Sequence, residues 1–158
     1  MAEKAGGSTE GTLCLREMRV DDVTMVLEVE TLSFPTPWSQ AAFLAELLTN
    51  SYARYYVAAV GARVVGYGGM WLIIDEAHIT NIAVHPGYRG RRIGEALLLC
   101  LIGKAREMKA VAMTLEVRAN NVVAQNLYRK HGFVPRGLRR GYYSDTGEDA
   151  VIMWKDNL

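Results

Sequence analysis

The apolar positions of this chain change period several times, and each change marks an element. Ahead of residue 13 the segment MAEKAGGSTEGT is polar and glycine-rich, which predicts a disordered tail over 1–12. LCLREM then alternates apolar and polar residues, as a short strand does. Asp21 and Asp22 supply N-cap chemistry for a helix through VTMVLEVETL, with Val23, Val26, Leu27 and Glu30 at helical spacing. Two prolines in SFPTPWS end that helix, and Ser39 caps a second through QAAFLAELLTN.

From Tyr55 the period changes and the chain becomes rich in strand-forming residues. YYVAAV and RVVGYGGMWL read as strands joined at Gly61-Ala62, and EAHITNIAV as a third, ended by His85-Pro86-Gly87. An arginine-rich turn follows, then a long helix to about Met108. AMTLEVR is another strand, Asn120-Asn121 cap a helix over VVAQNLYRKH, and Gly132 ends it. GFVPRGLRRGYY and EDAVIMW close the chain as two strands around SDTGED. The order β-α-α-β-β-β-α-β-α-β-β predicts an α/β chain of the α+β kind, one mixed sheet flanked by about four helices. It forms a single domain over 13–158.

Composition narrows the function classes. At 158 residues, half of them hydrophobic and 22% charged, the chain is an ordinary globular domain that needs no disulfide or metal for its core. Lysine and arginine (18) nearly balance aspartate and glutamate (17), so no direct nucleic-acid contact is expected. Cys14 and Cys100 sit in unrelated contexts and read as small core residues. The histidines, His78, His85 and His131, have no zinc-like spacing, and no metal is expected. The N-terminal segment has no apolar core of signal-peptide length, and no apolar run approaches the length of a bilayer span. The expectation is a cytoplasmic monomer or weak dimer with no membrane partner.

HPGYRGRRIGEALL is the stretch that carries chemistry. Three arginines and three glycines crowd a turn that opens onto a helix. A nucleic-acid backbone, the phosphates of a cofactor, or solvent alone would each suit it. A helix start presents unpaired amides and partial positive charge, glycine lets the main chain approach an anion, and arginine adds bidentate donors. A Walker A loop would end in Gly-Lys-Ser/Thr where this turn has Ile93-Gly94-Glu95. A Rossmann fingerprint would follow the first strand, and this turn follows three consecutive β segments.

The stretch resembles motif A of the GNAT N-acetyltransferase superfamily, R/Q-x-x-G-x-G/A, whose amides hold the pyrophosphate of acetyl-coenzyme A. Arg89 matches the first position and Gly94 the last, and Arg92 stands where glycine is usual. TLEVRANNVVAQNLYRKHGFV resembles motif B of the same superfamily. FPTPWS, NIAV, LEVR, LYRKHGF and RRGYYSDTGEDAVIM, in that order, resemble the RimI-type ribosomal-protein alanine N-acetyltransferases. The likeness runs from about Leu13 to the C-terminus. It implies a GNAT-like fold, its mixed, mostly antiparallel sheet split in a V between the two central strands. It also implies acetyl transfer from acetyl-coenzyme A, by direct attack in a ternary complex. The acceptor would be the N-terminal α-amine of a protein, the N-terminal alanine of a small-subunit ribosomal protein.

Such a transfer needs a neutral amine, donors for the developing oxyanion, and a proton for the leaving thiolate. An α-amine, with a reference pKa of about 7.7–8.0, asks less of a base than a lysine near about 10.4. Alternation along MTLEVR sends Thr114, Glu116 and Arg118 away from the face of Met113, Leu115 and Val117. Glu116 therefore faces a cleft, or pairs with Arg118 at the surface. The resemblance implies Glu116 as general base, directly or through water, and Tyr128 as proton donor to the thiolate. Without the resemblance Tyr128 reads as a packing residue.

The resemblance likewise implies a cofactor site made by Ile82, Ala83 and Val84 through their main chain, by Arg89, Gly90, Arg91, Arg92, Ile93 and Gly94, and by Asn121. Phe34 and Pro35, with Trp38, offer an apolar wall for the substrate, and Tyr142 and Tyr143 offer hydroxyls and rings. Arg139 and Arg140 would attract an acidic segment or line a solvated strand. Two further readings stay open: a broader N-terminal, lysine or small-amine acetyltransferase, and a non-catalytic module that binds RNA or the ribosome.

Overall fold

A computed structural model describes residues 11–158, so the tail expected over 1–12 lies almost wholly outside the described residues. The strands are β1 (Leu13–Glu17), β2 (Ala53–Val60), β3 (Arg63–Ile73), β4 (Glu76–Val84), β5 (Ala112–Arg118), β6 (Val134–Tyr143) and β7 (Glu148–Asp156). The helices are α1 (Val23–Ser33), α2 (Gln40–Leu48), α3 (Ile93–Glu107) and α4 (Val122–Lys130). All the strands join one sheet in the order β1-β2-β3-β4-β5-β7-β6. Every neighbouring pair runs antiparallel except β4 and β5. This is the mixed, four-helix architecture that the alternating periods predict.

Two clusters form most of the core. Val23, Val26 and Val29 of α1 meet Phe43 of α2 and Val57, Val64 and Tyr67 of the sheet. Leu98, Leu101 and Ile102 of α3 meet Met113, Leu115 and Met153, with Leu127 and Tyr128 of α4 packed alongside. Leu97, Leu98 and Leu101 are wholly buried, and burying one such side chain contributes about 1.5–3 kcal/mol. Gly66 and Gly68 let α3 lie close on β3: a Cβ at either would stand 3.2 Å from Leu97 or Leu101. That packing fixes where α3 begins.

The parallel pair at the centre is short. β4 and β5 are in register only from Glu76↔Ala112 to His78↔Thr114. On its other side β4 carries a bulge: Ile79 faces Met70 and Asn81 faces Gly69, so Thr80 is the extra residue. A bulge bends its strand and increases the local twist. Beyond His78 the two strands part, and Ile79–Val84 keep one edge without a strand partner. The V-shaped split is therefore present, with its apex at the His78–Thr114 pair.

Two local expectations change. Asp22 does not cap α1; its carboxylate accepts from both Arg16 guanidinium nitrogens at 2.7 and 2.8 Å and from the Arg19 amide at 2.7 Å. That ties β1 to a 3-10 turn at Val20–Asp22, which leads into the helix. Cys14 is exposed rather than in the core, because β1 is an edge strand and alternation turns this residue outward; Cys100 is half-buried.

Candidate active site

Two hollows border the split. The first, about 660 Å³, lies beside the start of α3. Ile82, Ala83, Val84, Arg89, Gly90, Arg92, Ile93, Gly94 and Asn121 line it, together with Tyr128 and Phe34. Of the expected cofactor residues only Arg91 is outside this lining; its guanidinium lies 5.0 Å from the centre of the Tyr88 ring.

The wall is mostly main chain. α2 and α4 are capped by Ser39 and Asn121, whose side chains accept from Ala42 and Ala124 amides, whereas no side chain caps α3. The first-turn amides of α3, at Ile93, Gly94 and Glu95, have no intrahelical acceptor and open towards the cavity, where they attract an anion. Gly90 (φ +80°) and Arg92 (φ 61°) both turn the chain through the left-handed region. For Arg92 this costs about 1–2 kcal/mol, and glycine at this place in motif A avoids it. A Cβ on Gly94 would meet only Val84 Cγ2, at 3.8 Å across the cavity. An arm with paired amides also has the unpartnered edge of Ile82–Val84 to add to. Volume, amide donors and strand edge all fit a nucleotide-bearing thioester such as acetyl-coenzyme A.

The second hollow, about 680 Å³, lies at the β3–β4 turn and over β4, β5, β6 and β7, on the sheet face away from α3. It is lined by Ile73, Ile74, Asp75, Glu76, His78, Thr114, Glu116, Arg139, Ile152 and Trp154. Glu116 is nearly buried, with 10% of its side chain exposed, and its Oε1 lies 2.8 Å from His78 Nε2. Arg139 Nε stands 4.0 Å from the other carboxylate oxygen. The His78 hydrogen bond, with help from the charge of Arg139, outweighs burial and holds Glu116 below the usual carboxylate range. The alternative Glu116–Arg118 pair does not form: Arg118 is taken by Asp145 (2.9 Å) and Glu148 (3.0 Å).

Tyr128, on α4, contributes to the α3-side cavity and packs edge-on against Phe133 at 5.8 Å. Burial pushes its phenol up to about 12, which keeps it protonated and able to donate. The start of α3 is also strapped to the end of α4. Glu95 accepts from Lys130 (2.8 Å) and His131 (2.6 Å), and these bonds pull its carboxyl down to about 2.

Comparison with known proteins identifies the family and the fold. The model of the acetyltransferase (GNAT) family matches residues 23–133, from the start of α1 to just beyond α4. The chain belongs to the GNAT acetyltransferase family. A Bacillus subtilis (strain 168) protein, provisionally named a [ribosomal protein bS18]-alanine N-acetyltransferase, is 46% identical over 140 residues, which cover 89% of this chain and 93% of that protein. The Escherichia coli (strain K12) [ribosomal protein bS18]-alanine N-acetyltransferase is 32% identical over 143 residues, 88% of this chain and 94% of that one. The crystal structure of the Escherichia coli ribosomal-protein-S18-alanine N-acetyltransferase superposes with a TM-score of 0.85 at 28% identity, covering 92% of this chain and 94% of that chain.

In this acetyltransferase the expected substrate residues are spread out. Phe34 joins the α3-side cavity, while Pro35 lies exposed on the α1–α2 loop and lines neither hollow. Trp38 turns inward onto Phe43 and Tyr55. The loop is anchored by Glu30, only 2% exposed, whose carboxylate accepts from the Trp38 amide at 2.9 Å and from the Tyr67 hydroxyl. Tyr142 and Tyr143 stack edge-on at 5.0 Å, beside the guanidinium groups of Arg139 and Arg118, and line neither hollow. Arg139 reaches Glu116, and Arg140 is exposed on β6.

His78, Glu30 and Glu95 are the polar residues that sequence reasoning misses. Period two does send His78 to the face opposite Ala77 and Ile79, but its partner is set by the parallel register of β4 with β5. Among the described residues no group of His, Cys, Asp and Glu could hold a metal ion, and no helix is long and apolar enough to cross a membrane.

Proposed function

We propose that this acetyltransferase moves the acetyl group of acetyl-coenzyme A to the N-terminal α-amine of a protein, the N-terminal alanine of a small-subunit ribosomal protein. One observation carries the proposal: the split between β4 and β5 has an amide-lined cradle along one side and an ionised carboxylate bonded to an imidazole at its apex. The relatives in Bacillus subtilis and Escherichia coli bear names for that reaction on bS18, which supports the same substrate here. The main-chain edge of Ile82–Val84 and the α3 amides hold the thioester-bearing arm and its pyrophosphate. The negative charge of Glu116 draws the proton from the α-ammonium, directly or through water. Tyr128 supplies a proton to the departing thiolate. The incoming chain passes between the α1–α2 loop at Phe34 and Pro35 and the β6–β7 end at Tyr142 and Tyr143. Two of the turn's arginines are engaged within the protein, which speaks against a module that binds RNA: Arg89 donates to the Val84 carbonyl (3.2 Å) and Ser33 Oγ (3.4 Å), and Arg91 lies over Tyr88.

Intact-mass analysis of N-terminal peptides incubated with acetyl-coenzyme A tests the proposal. An alanine-first ribosomal peptide is expected to gain one acetyl group, ahead of a methionine-first peptide and an N-blocked lysine peptide. Preferential acetylation of the blocked lysine peptide would overturn the α-amine assignment.

A further inference from the structure

His78 Nε2 and Glu116 Oε1 are 2.8 Å apart. An ionised carboxylate only accepts, so the proton of a neutral ring must sit on Nε2 and its lone pair on Nδ1. Among the described residues, no hydrogen bond occupies Nδ1, and a third of the side chain is exposed to the groove (34%). The ring is steadied by edge-on contact with Trp71, centres 6.3 Å apart, whose indole N–H donates to Glu46 Oε1 at 2.6 Å. Its place along β4 is set by pairing with Thr114, the last rung before the strands part. The other charged groups facing it are Arg139 from β6 and the carboxylates of Asp75 and Glu76 at one end of the groove.

We infer, granting the acetyl-transfer reading, that His78 takes the proton from the substrate's α-ammonium at Nδ1, with Glu116 acting from behind as the residue that positions the ring. The arrangement follows the logic of a catalytic triad, in which a buried carboxylate selects the tautomer and stabilises the imidazolium that forms. Driving force favours the same route. Glu116 is held below the ordinary carboxylate range, far beneath an α-ammonium at about 7.7–8.0, so direct transfer to the carboxylate is steeply uphill. The ammonium gives one proton to Nδ1, and the imidazolium passes it to solvent. The neutral amine forms its N–C bond at the thioester carbonyl carbon, the C–S bond breaks, and sulfur leaves with the electron pair. Tyr128 protonates that sulfur, and the second proton lost by the amine nitrogen restores the phenol. One proton is released for each acetyl group transferred.

The test is kcat/KM against pH for the wild-type enzyme, His78→Gln and Glu116→Gln, with an alanine-first peptide and saturating acetyl-coenzyme A. His78→Gln is expected to lower kcat/KM at pH 7 by about 10²-fold or more and to leave only the substrate amine's own ionisation in the ascending limb, because its amide cannot accept and release the proton. Glu116→Gln still accepts from Nε2, so the limb persists, shifted to lower pH as the imidazolium loses its counter-charge. Free imidazole is expected to restore part of the activity of His78→Ala, and thermal melts and the KM for acetyl-coenzyme A report that the fold and cradle are intact. A kcat/KM profile unchanged in His78→Gln, with the loss confined to Glu116→Gln, overturns the inference and leaves acetyl transfer standing. A wild-type enzyme inactive on every α-amine peptide overturns the acetyl-transfer reading and the inference with it.

Discussion

The cavity beside α3 and the groove beside Glu116 have similar volumes, about 660 and about 680 Å³, but they are assembled by opposite means. The cavity is walled by main chain: an uncapped helix start, a strand edge released by a bulge, and two residues in the left-handed region. Its anion preference comes from amides that any residue would supply. The groove is built from side chains, with His78, Glu116, Arg139 and Trp154 coming from β4, β5, β6 and β7. A main-chain site tolerates changes of side-chain type and fails when a Cβ intrudes. A side-chain site does the reverse.

That contrast can be broken at Gly94. Gly94→Val adds branched carbon where only Val84 stands near, so the fold has room for it while the proposed pyrophosphate site loses space. The KM for acetyl-coenzyme A is expected to rise about 10-fold, equivalent to about 1.4 kcal/mol, with the melting temperature nearly unchanged. Steady-state kinetics at saturating peptide measures it, and an unchanged KM would put the pyrophosphate elsewhere. A smaller effect sharpens the same contrast at Arg92. Arg92→Gly relieves left-handed strain, and the glycine's own conformational cost offsets part of the gain. A gain of up to about 1 kcal/mol is expected, or about 2–4 °C in Tm for a chain of this size. Differential scanning calorimetry measures it. A fall in Tm would mean that contacts of the arginine outweigh its strained backbone.

The same contrast explains what is legible from the amino-acid sequence. The cradle's main wall is contiguous, with β4 edge, turn and helix start all within residues 82–94, so local pattern suffices to read it. Periodicity marks elements with one buried face, such as β5, whereas β2 and β3 are buried on both faces and β6 is exposed along nearly all of its length. His78 and Glu116 are 38 residues apart, and only the short parallel register of β4 with β5 brings them together. Alternation along AMTLEVR correctly turns Glu116 off the core face, but it cannot choose between Arg118, two residues away, and a histidine on another strand. Asp22 illustrates a local rule overridden in the same way: its capping chemistry is diverted by Arg16, six positions earlier on β1.

The division of labour between the two hollows is tested most directly in Glu116→Gln/Tyr128→Phe, assayed by calorimetry for coenzyme A and by intact mass for acetylation of an alanine-first peptide. Coenzyme A is expected to bind within about threefold of the wild-type affinity, because the amides and strand edge are untouched, while turnover falls by about 10³-fold or more. Unchanged turnover, or a loss of turnover that merely tracks a loss of coenzyme A affinity, would contradict the account.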